Sequence, residues 1–103
     1  MKRIYIAGPM SGLPELNFLA FHALAKTLRD EGYEVMNPAE INSDPTAEWA
    51  DCMRADLLAL DSCDGIVMLP GWENSPGAQI ERLWAGRTGK QVFCAMKLHE
   101  VCA

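Results

Sequence analysis

Two carboxylates occupy positions where chemistry is a natural explanation. Glu81 closes the stretch Leu69–Glu81, LPGWENSPGAQIE, in which the apolar run Gly65-Ile66-Val67-Met68 gives way to Pro70 and Gly71 and then to a helix start. Asn74 or Ser75 can accept the free amides that open that helix, and Pro76 suits its first position, where no amide is needed. Glu81 thus lies near the positive end of the helix dipole, an effect of roughly 0.3–1 kcal/mol that favours an ionised carboxylate and fades after the first turn. That end would also attract an anionic ligand group, and Gly77, one turn before Glu81, would let a ligand approach the backbone. The second acid is Asp56. Within a helix predicted over Ala47–Leu60, Trp49, Cys52, Met53 and Leu60 share a face, and Asp56 falls on the same stripe. A carboxylate on an apolar face either finds a cation, with Arg54 and Arg82 as candidates, or shifts its pKa upward and holds a proton. One bare and one protonated carboxylate are what a retaining glycosidic mechanism needs. The competing reading is a solvated Glu81 and an Asp56 held in a structural ion pair.

The elements that must position these acids alternate regularly. Arg3–Ala7 reads as an apolar strand ending in Gly8-Pro9-Met10-Ser11-Gly12, and Asn17–Glu31 as an amphipathic helix with Phe18, Phe21, Ala25 and Leu28 at helical spacing. A short strand over Tyr33–Met36 closes at Asn37-Pro38, and Asn37–Thr46 is polar and irregular, with Asn37–Glu40 expected at the pocket rim. Strand three is Gly65–Leu69, helix three Pro76–Thr88 and strand four Gln91–Met96. The predicted fold is an α/β, flavodoxin-like or Rossmann-like three-layer sandwich. Its parallel sheet has four or five strands in order 2-1-3-4, in a domain over residues 1–96 with a tail over 97–103. In that order, Gly8–Gly12 and Pro70–Gly77 become opposite lips of one crevice beyond the strand ends. Gly8, Pro9, Met10, Ser11, Gly12 and Gly77 are then the expected substrate-binding residues. Trp72 in the crevice loop could stack on a base or pack on its own loop, whereas Trp49 and Trp84 are assigned to core or interface. Asp64 is read as stabilising the turn into strand three, and His22 as a packed or surface residue.

The 103 residues allow one small core, and half of them are apolar. A net charge of −5 with scattered Lys and Arg argues against a nucleic-acid polymer as partner, because phosphate-tracking proteins carry a basic stripe. Small molecules fit better. The four cysteines, Cys52, Cys63, Cys94 and Cys102, do not read as a disulfide scaffold, so a reducing, cytoplasmic location is expected. No apolar run approaches the roughly 20 residues that span a bilayer, and no metal-site spacing is present.

These residues together resemble the nucleoside 2-deoxyribosyltransferase-like superfamily, which includes deoxynucleoside-monophosphate N-glycosidases, and within it a small phage and bacterial branch. The overlap runs from Lys2 to about Met96. Its matched positions are Tyr5 and Gly8 in Tyr-Ile-Ala-Gly-Pro, Asp56 and Asp64, Ser75, and Glu81 in Gly-x-x-x-Glu. The resemblance implies Glu81 as nucleophile, Asp56 as acid/base, Tyr5 as the hydroxyl that positions the nucleophile, and Ser75 as a contact for a 5′-phosphate. By itself Tyr5, between Ile4 and Ile6, reads as an ordinary strand residue. The chain departs from the pattern near Ser11, where a phosphate-holding arginine is expected. It departs again at Glu81-Arg82-Leu83, where the family has Glu-Leu-Gly. Arg82 could replace the lost cation or cap a surface.

The implied activity is cleavage of an N-glycosidic bond, or 2-deoxyribosyl transfer, on a deoxynucleoside or its monophosphate through a covalent sugar ester on Glu81. It needs no cofactor or metal. A homodimer or larger assembly is also implied, since relatives share sites between subunits and so small a domain gains from burying Trp-rich surface. Two alternatives use the same crevice: a non-catalytic nucleotide or nucleotide-sugar sensor, and a phosphoribohydrolase. The latter is disfavoured because Trp72 stands where its tight turn has a second glycine.

Overall fold

The computed structural model describes residues 2–10, 12–41, 46–95 and 97–101. Along the chain run β1 (Arg3–Ala7), α1 (Phe18–Asp30), β2 (Glu34–Met36), α2 (Pro38–Ile41) and α3 (Trp49–Asp61). They are followed by β3 (Gly65–Met68), α4 (Pro76–Arg87), β4 (Gln91–Cys94) and β5 (Lys97–Val101). The sheet order is β2-β1-β3-β4-β5. The first four strands are parallel in the expected order, and the chain reverses direction between β1 and β3. β5 comes from the tail, which the sequence left unassigned. It runs antiparallel to β4, the only direction open to so short a connection.

α2 is a second addition, inside a stretch expected to be irregular whose residues 42–45 lie outside the described residues. Its start obeys the rule already used for α4: the Asn37 side-chain oxygen accepts the Ala39 amide at 3.0 Å, and Pro38 occupies the first position. Cys94 takes part in a disulfide, contrary to the reading of reduced cysteines, while Cys52 and Cys63 are free thiols. Spacing along the chain carries no information on how closely two cysteines approach in space. Among the described residues, no helix is long and apolar enough to cross a membrane.

Alternation along β1 divides the core into two layers. Ile4 and Ile6 pack with Phe21, Ala25 and Leu28 of α1, whereas Tyr5 and Ala7 join Leu60 of α3 and Ala78 and Ala85 of α4 on the opposite face. Strand parity thus sends the Tyr5 side chain beneath the two helices that carry Asp56 and Glu81. A slip of one residue in β1 would turn it away from both. The start of the strand is pinned by Asp64, whose carboxylate accepts the Arg3 amide at 2.9 Å, in keeping with its predicted role at the turn into β3.

The two glycine-proline loops meet at the carboxyl ends of β1 and β3. A Cβ on Gly8 would lie 2.6 Å from the Leu69 Cβ, and one on Gly71, where φ is +90°, would lie 3.2 Å from the Pro9 ring. Gly8 is therefore required by the close approach of the Leu69 side chain. Gly8→Ala should destabilise the fold by about 1–3 kcal/mol through overpacking, measured as a lower urea midpoint with an unchanged slope.

Candidate active site

A cavity of about 310 Å³ opens at this strand end, between the β1 loop, α1, the start of α3 and the start of α4. Its lining includes Gly8, Pro9 and Met10 from the first loop, and Asn74, Ser75, Pro76 and Gly77 from the second. Asp56 and Glu81 come from the two helices. The α4 start is built as expected: Pro76 is at its first turn, and the Ser75 hydroxyl oxygen accepts the Ala78 amide at 3.3 Å. The remaining wall is largely apolar, with Leu16, Phe18, Phe21, Pro38, Trp49 and Met53. Leu16 reaches it from a turn in which Glu15, Leu16 and Asn17 all have positive φ, held by the Asn17 amide donating to the Pro9 carbonyl at 3.0 Å.

The two acids are buried, Asp56 at 7% and Glu81 at 5% exposure, and Tyr5 is completely enclosed beneath them. The Tyr5 hydroxyl donates to Glu81 Oε2 at 2.5 Å, and Asp56 acts on the same hydroxyl through charge and hydrogen bonding. Burial, reinforced by both acids, holds the phenol well above its ordinary pKa, so it remains a donor. Burial also raises the Glu81 carboxyl from 4.5 to about 8. The Tyr5 hydrogen bond opposes that rise and the Asp56 charge adds to it.

This corrects the expectation that Glu81 stays ionised with the help of its helix. Glu81 lies beyond the first turn of α4, where the dipole has faded, and loss of water around the carboxyl outweighs what remains. Arg54, one candidate partner for Asp56, instead pairs with Asp51 at 2.6 Å on the exposed side of α3.

Of the residues singled out by sequence, Gly8, Pro9, Met10, Asp56, Ser75, Gly77 and Glu81 come together around the cavity, with Tyr5 under its floor. Gly12 is exposed and does not line it, and Ser11 lies outside the described residues. Trp72 does not line it either. Its ring packs toward the core, with the Arg82 guanidinium 5.5 Å from its centroid, so both are engaged with each other at the loop.

Trp49, Met53, Asn74 and the Leu16–Phe21 wall were not recognised as site residues. The apolar stripe of α3 did contain a signal, because Trp49, Met53 and Asp56 share it. Nothing in its spacing says that the stripe runs past the sheet edge and becomes a cavity wall. Among the described residues, no group of three or more His, Cys, Asp or Glu side chains is placed to hold a metal ion.

Comparison with known proteins finds the same fold among solved structures. The family described as "Domain of unknown function (DUF4406)" matches residues 2–94. The CMP N-glycosidase BcmB of Clostridium botulinum is 27% identical with a TM-score of 0.64, over 90% of this chain and 70% of that one. A 2-desoxiribosyltransferase from Leishmania mexicana (20% identity, TM-score 0.71) and BlsM (24%, 0.71) share the fold over 91% and 90% of this chain. The chain spans 63% of the length of each of these two. None of the curated proteins matches it in sequence. The resemblance drawn from the sequence, to nucleoside 2-deoxyribosyltransferase-like proteins, is borne out by these structural neighbours.

The raised Glu81 pKa has a consequence for stability. Below about pH 4.5 the carboxyl is protonated in both folded and unfolded chains. Between there and about pH 8 only the unfolded chain ionises, so the folded state loses ground as pH rises. Glu81→Gln should therefore gain stability relative to the natural protein across that window and gain no more above it, as read from urea midpoints at a series of pH values.

Proposed function

The chain belongs to the DUF4406 family, and from that premise we propose that it cleaves the N-glycosidic bond of a deoxynucleoside or deoxynucleoside monophosphate, or transfers its 2-deoxyribosyl group, through an ester on Glu81. The observation that carries this reading is the Tyr5 hydroxyl held between two buried acids at the floor of a nucleoside-sized cavity. The N-glycosidase and deoxyribosyltransferase among the structural neighbours support the reaction kind.

Burial and the negative charge of Asp56 keep a proton on Glu81 up to about pH 8. Tyr5 links the two acids, since its hydroxyl donates to Glu81 and also interacts with Asp56, and so offers a route by which the proton can pass from Glu81 to Asp56. In the reactive arrangement Glu81 is bare and Asp56 carries the proton. A Glu81 oxygen attacks the anomeric carbon, the carbon–nitrogen bond breaks with its electron pair going to the base, and the Asp56 proton follows to that base. Asp56, now ionised, takes a proton from water, whose oxygen bonds to the anomeric carbon and displaces the Glu81 carboxylate, releasing the sugar. Attack by a second base would give transfer instead. A sugar without a 2′-hydroxyl reaches its oxocarbenium-like transition state readily, so few polar groups suffice.

The deciding experiment incubates the protein with the common deoxynucleosides and their monophosphates and follows free base by chromatography. Release should fall at least about a thousandfold in Glu81→Ala, and acid-quenched intact mass spectrometry should find a sugar adduct on the natural protein alone. Persistence of release in Glu81→Ala would remove the mechanism. Absence of release from every compound would favour the sensor reading of the same cavity. For an active protein, kcat/KM should decline as pH rises through about 8, where the proton held at Glu81 is lost from the site.

Assembly into a dimer or larger belongs to the same proposal, supported by Leu58, Leu83 and Trp84, which leave apolar surface on the outer sides of α3 and α4. Light scattering should return at least twice the 11.4 kDa of one chain.

A further inference from the structure

Trp49 is the one large aromatic side chain of the cavity wall that stands open to water, at 53% exposure. An indole in that position loses hydrophobic stabilisation until something covers it. Three features say what does. First, the ring has a firm backing. A Cβ on Gly77 would lie 3.2 Å from the Met53 sulfur and 3.9 Å from the Trp49 ring nitrogen, so the missing side chain lets both residues seat against the first turn of α4. Gly77 thus serves the packing of α3 on α4, where the sequence suggested an opening for ligand.

Second, Trp49, Met53 and Asp56 follow one another at i, i+4 and i+7 along one helical face. Seven residues at 1.5 Å each set the two positions about 10 Å apart along the axis, so the indole and the acid stand at different levels of one cavity wall. Third, the wall across the cavity is apolar, with Phe18 and Pro38, which suits a flat heterocycle and offers no competing charge. Trp72, the aromatic that the sequence placed in the crevice, is turned away onto Arg82.

We infer that Trp49 is the stacking platform for the nucleobase, and that Gly77 and Met53 are the positioning residues that hold its ring. The inference rests on the glycosidic reading for the orientation of the ligand: with the anomeric carbon over Glu81 and Asp56, the base extends up the α3 face onto the indole. Stacking on an aromatic ring is tolerant of base identity, so Trp49 sets affinity for bases in general, and choice among bases falls to polar groups elsewhere in the lining, of which Asn74 is one.

The test uses a full-length variant carrying Glu81→Gln, Trp72→Phe and Trp84→Phe, in which Trp49 is the sole indole and turnover is blocked. Its fluorescence is titrated with 2′-deoxyadenosine, thymidine and their 5′-monophosphates. Saturable quenching by at least one of them is expected. In the otherwise natural protein, Trp49→Ala should raise KM about tenfold with kcat changed by less than about threefold, while Trp49→Phe should stay within about threefold on both. Circular dichroism checks that each variant folds.

Unchanged emission with all four compounds overturns the inference. So does a Trp49→Ala variant that loses kcat at constant KM, or one that changes only the mass seen by light scattering, since the indole would then be a helix prop or a subunit contact. Failure of the glycosidic reading looks different: the natural protein releases no base, yet the single-indole variant is still quenched.

Discussion

One hydrogen bond spans the two layers on which the site depends. It runs from the hydroxyl of Tyr5, in the middle of the sheet, to Glu81 on α4, and Asp56 on α3 bears on the same hydroxyl. None of the three groups is comfortable where it lies. A buried carboxyl without a partner costs several kcal/mol when ionised, and an enclosed phenol needs an acceptor. Each is tolerable because the others are there, and burial with the Asp56 charge keeps Glu81 protonated up to about pH 8 against the opposing Tyr5 hydrogen bond. Removing any member would leave the remaining two short of a partner in a low-dielectric pocket.

The rest of the architecture serves to bring these groups together. Parity along β1 chooses the face, the parallel crossovers place α3 and α4 side by side over that face, and the strand ends leave a crevice where the chain changes direction. Gly8 and Gly71 leave room for the Leu69 side chain and the Pro9 ring, so the two loops can meet. Gly77 plays a parallel part between the helices. Three glycines that look alike as loop or helix-start residues thus regulate three separate approaches, and each is explained by the atom that a side chain would strike.

Acid chemistry in so small a protein also explains its apolar wall. A cavity lined by Phe18, Phe21, Pro38, Met53 and Trp49 lowers the polarity around the acids and presents a surface suited to an aromatic ligand. Glu81, at the same cavity, is raised by its burial.

Local chemistry determined much of this in advance. The apolar strand runs, the Ser75-Pro76 helix start, the stripe carrying Asp56 and the Glu81 that follows Gly77 are short-range patterns, and each depends on neighbours a few residues away. Alternation and handedness pointed to a parallel sheet, its order was taken from flavodoxin-like domains, and the resemblance supplied Tyr5. What only the tertiary structure decided are the quantities that depend on distant atoms. These are the protonation of Glu81, which is governed by how completely it is enclosed, and the choice between Trp49 and Trp72 as the aromatic at the cavity, which depends on the direction of each ring once α3 and α4 are packed. The antiparallel β5 and the Cys94 disulfide belong with them, for pairing across space leaves no periodic trace along the chain. Burial and direction are sums over the whole fold, and a sequence pattern records only the nearest terms of those sums.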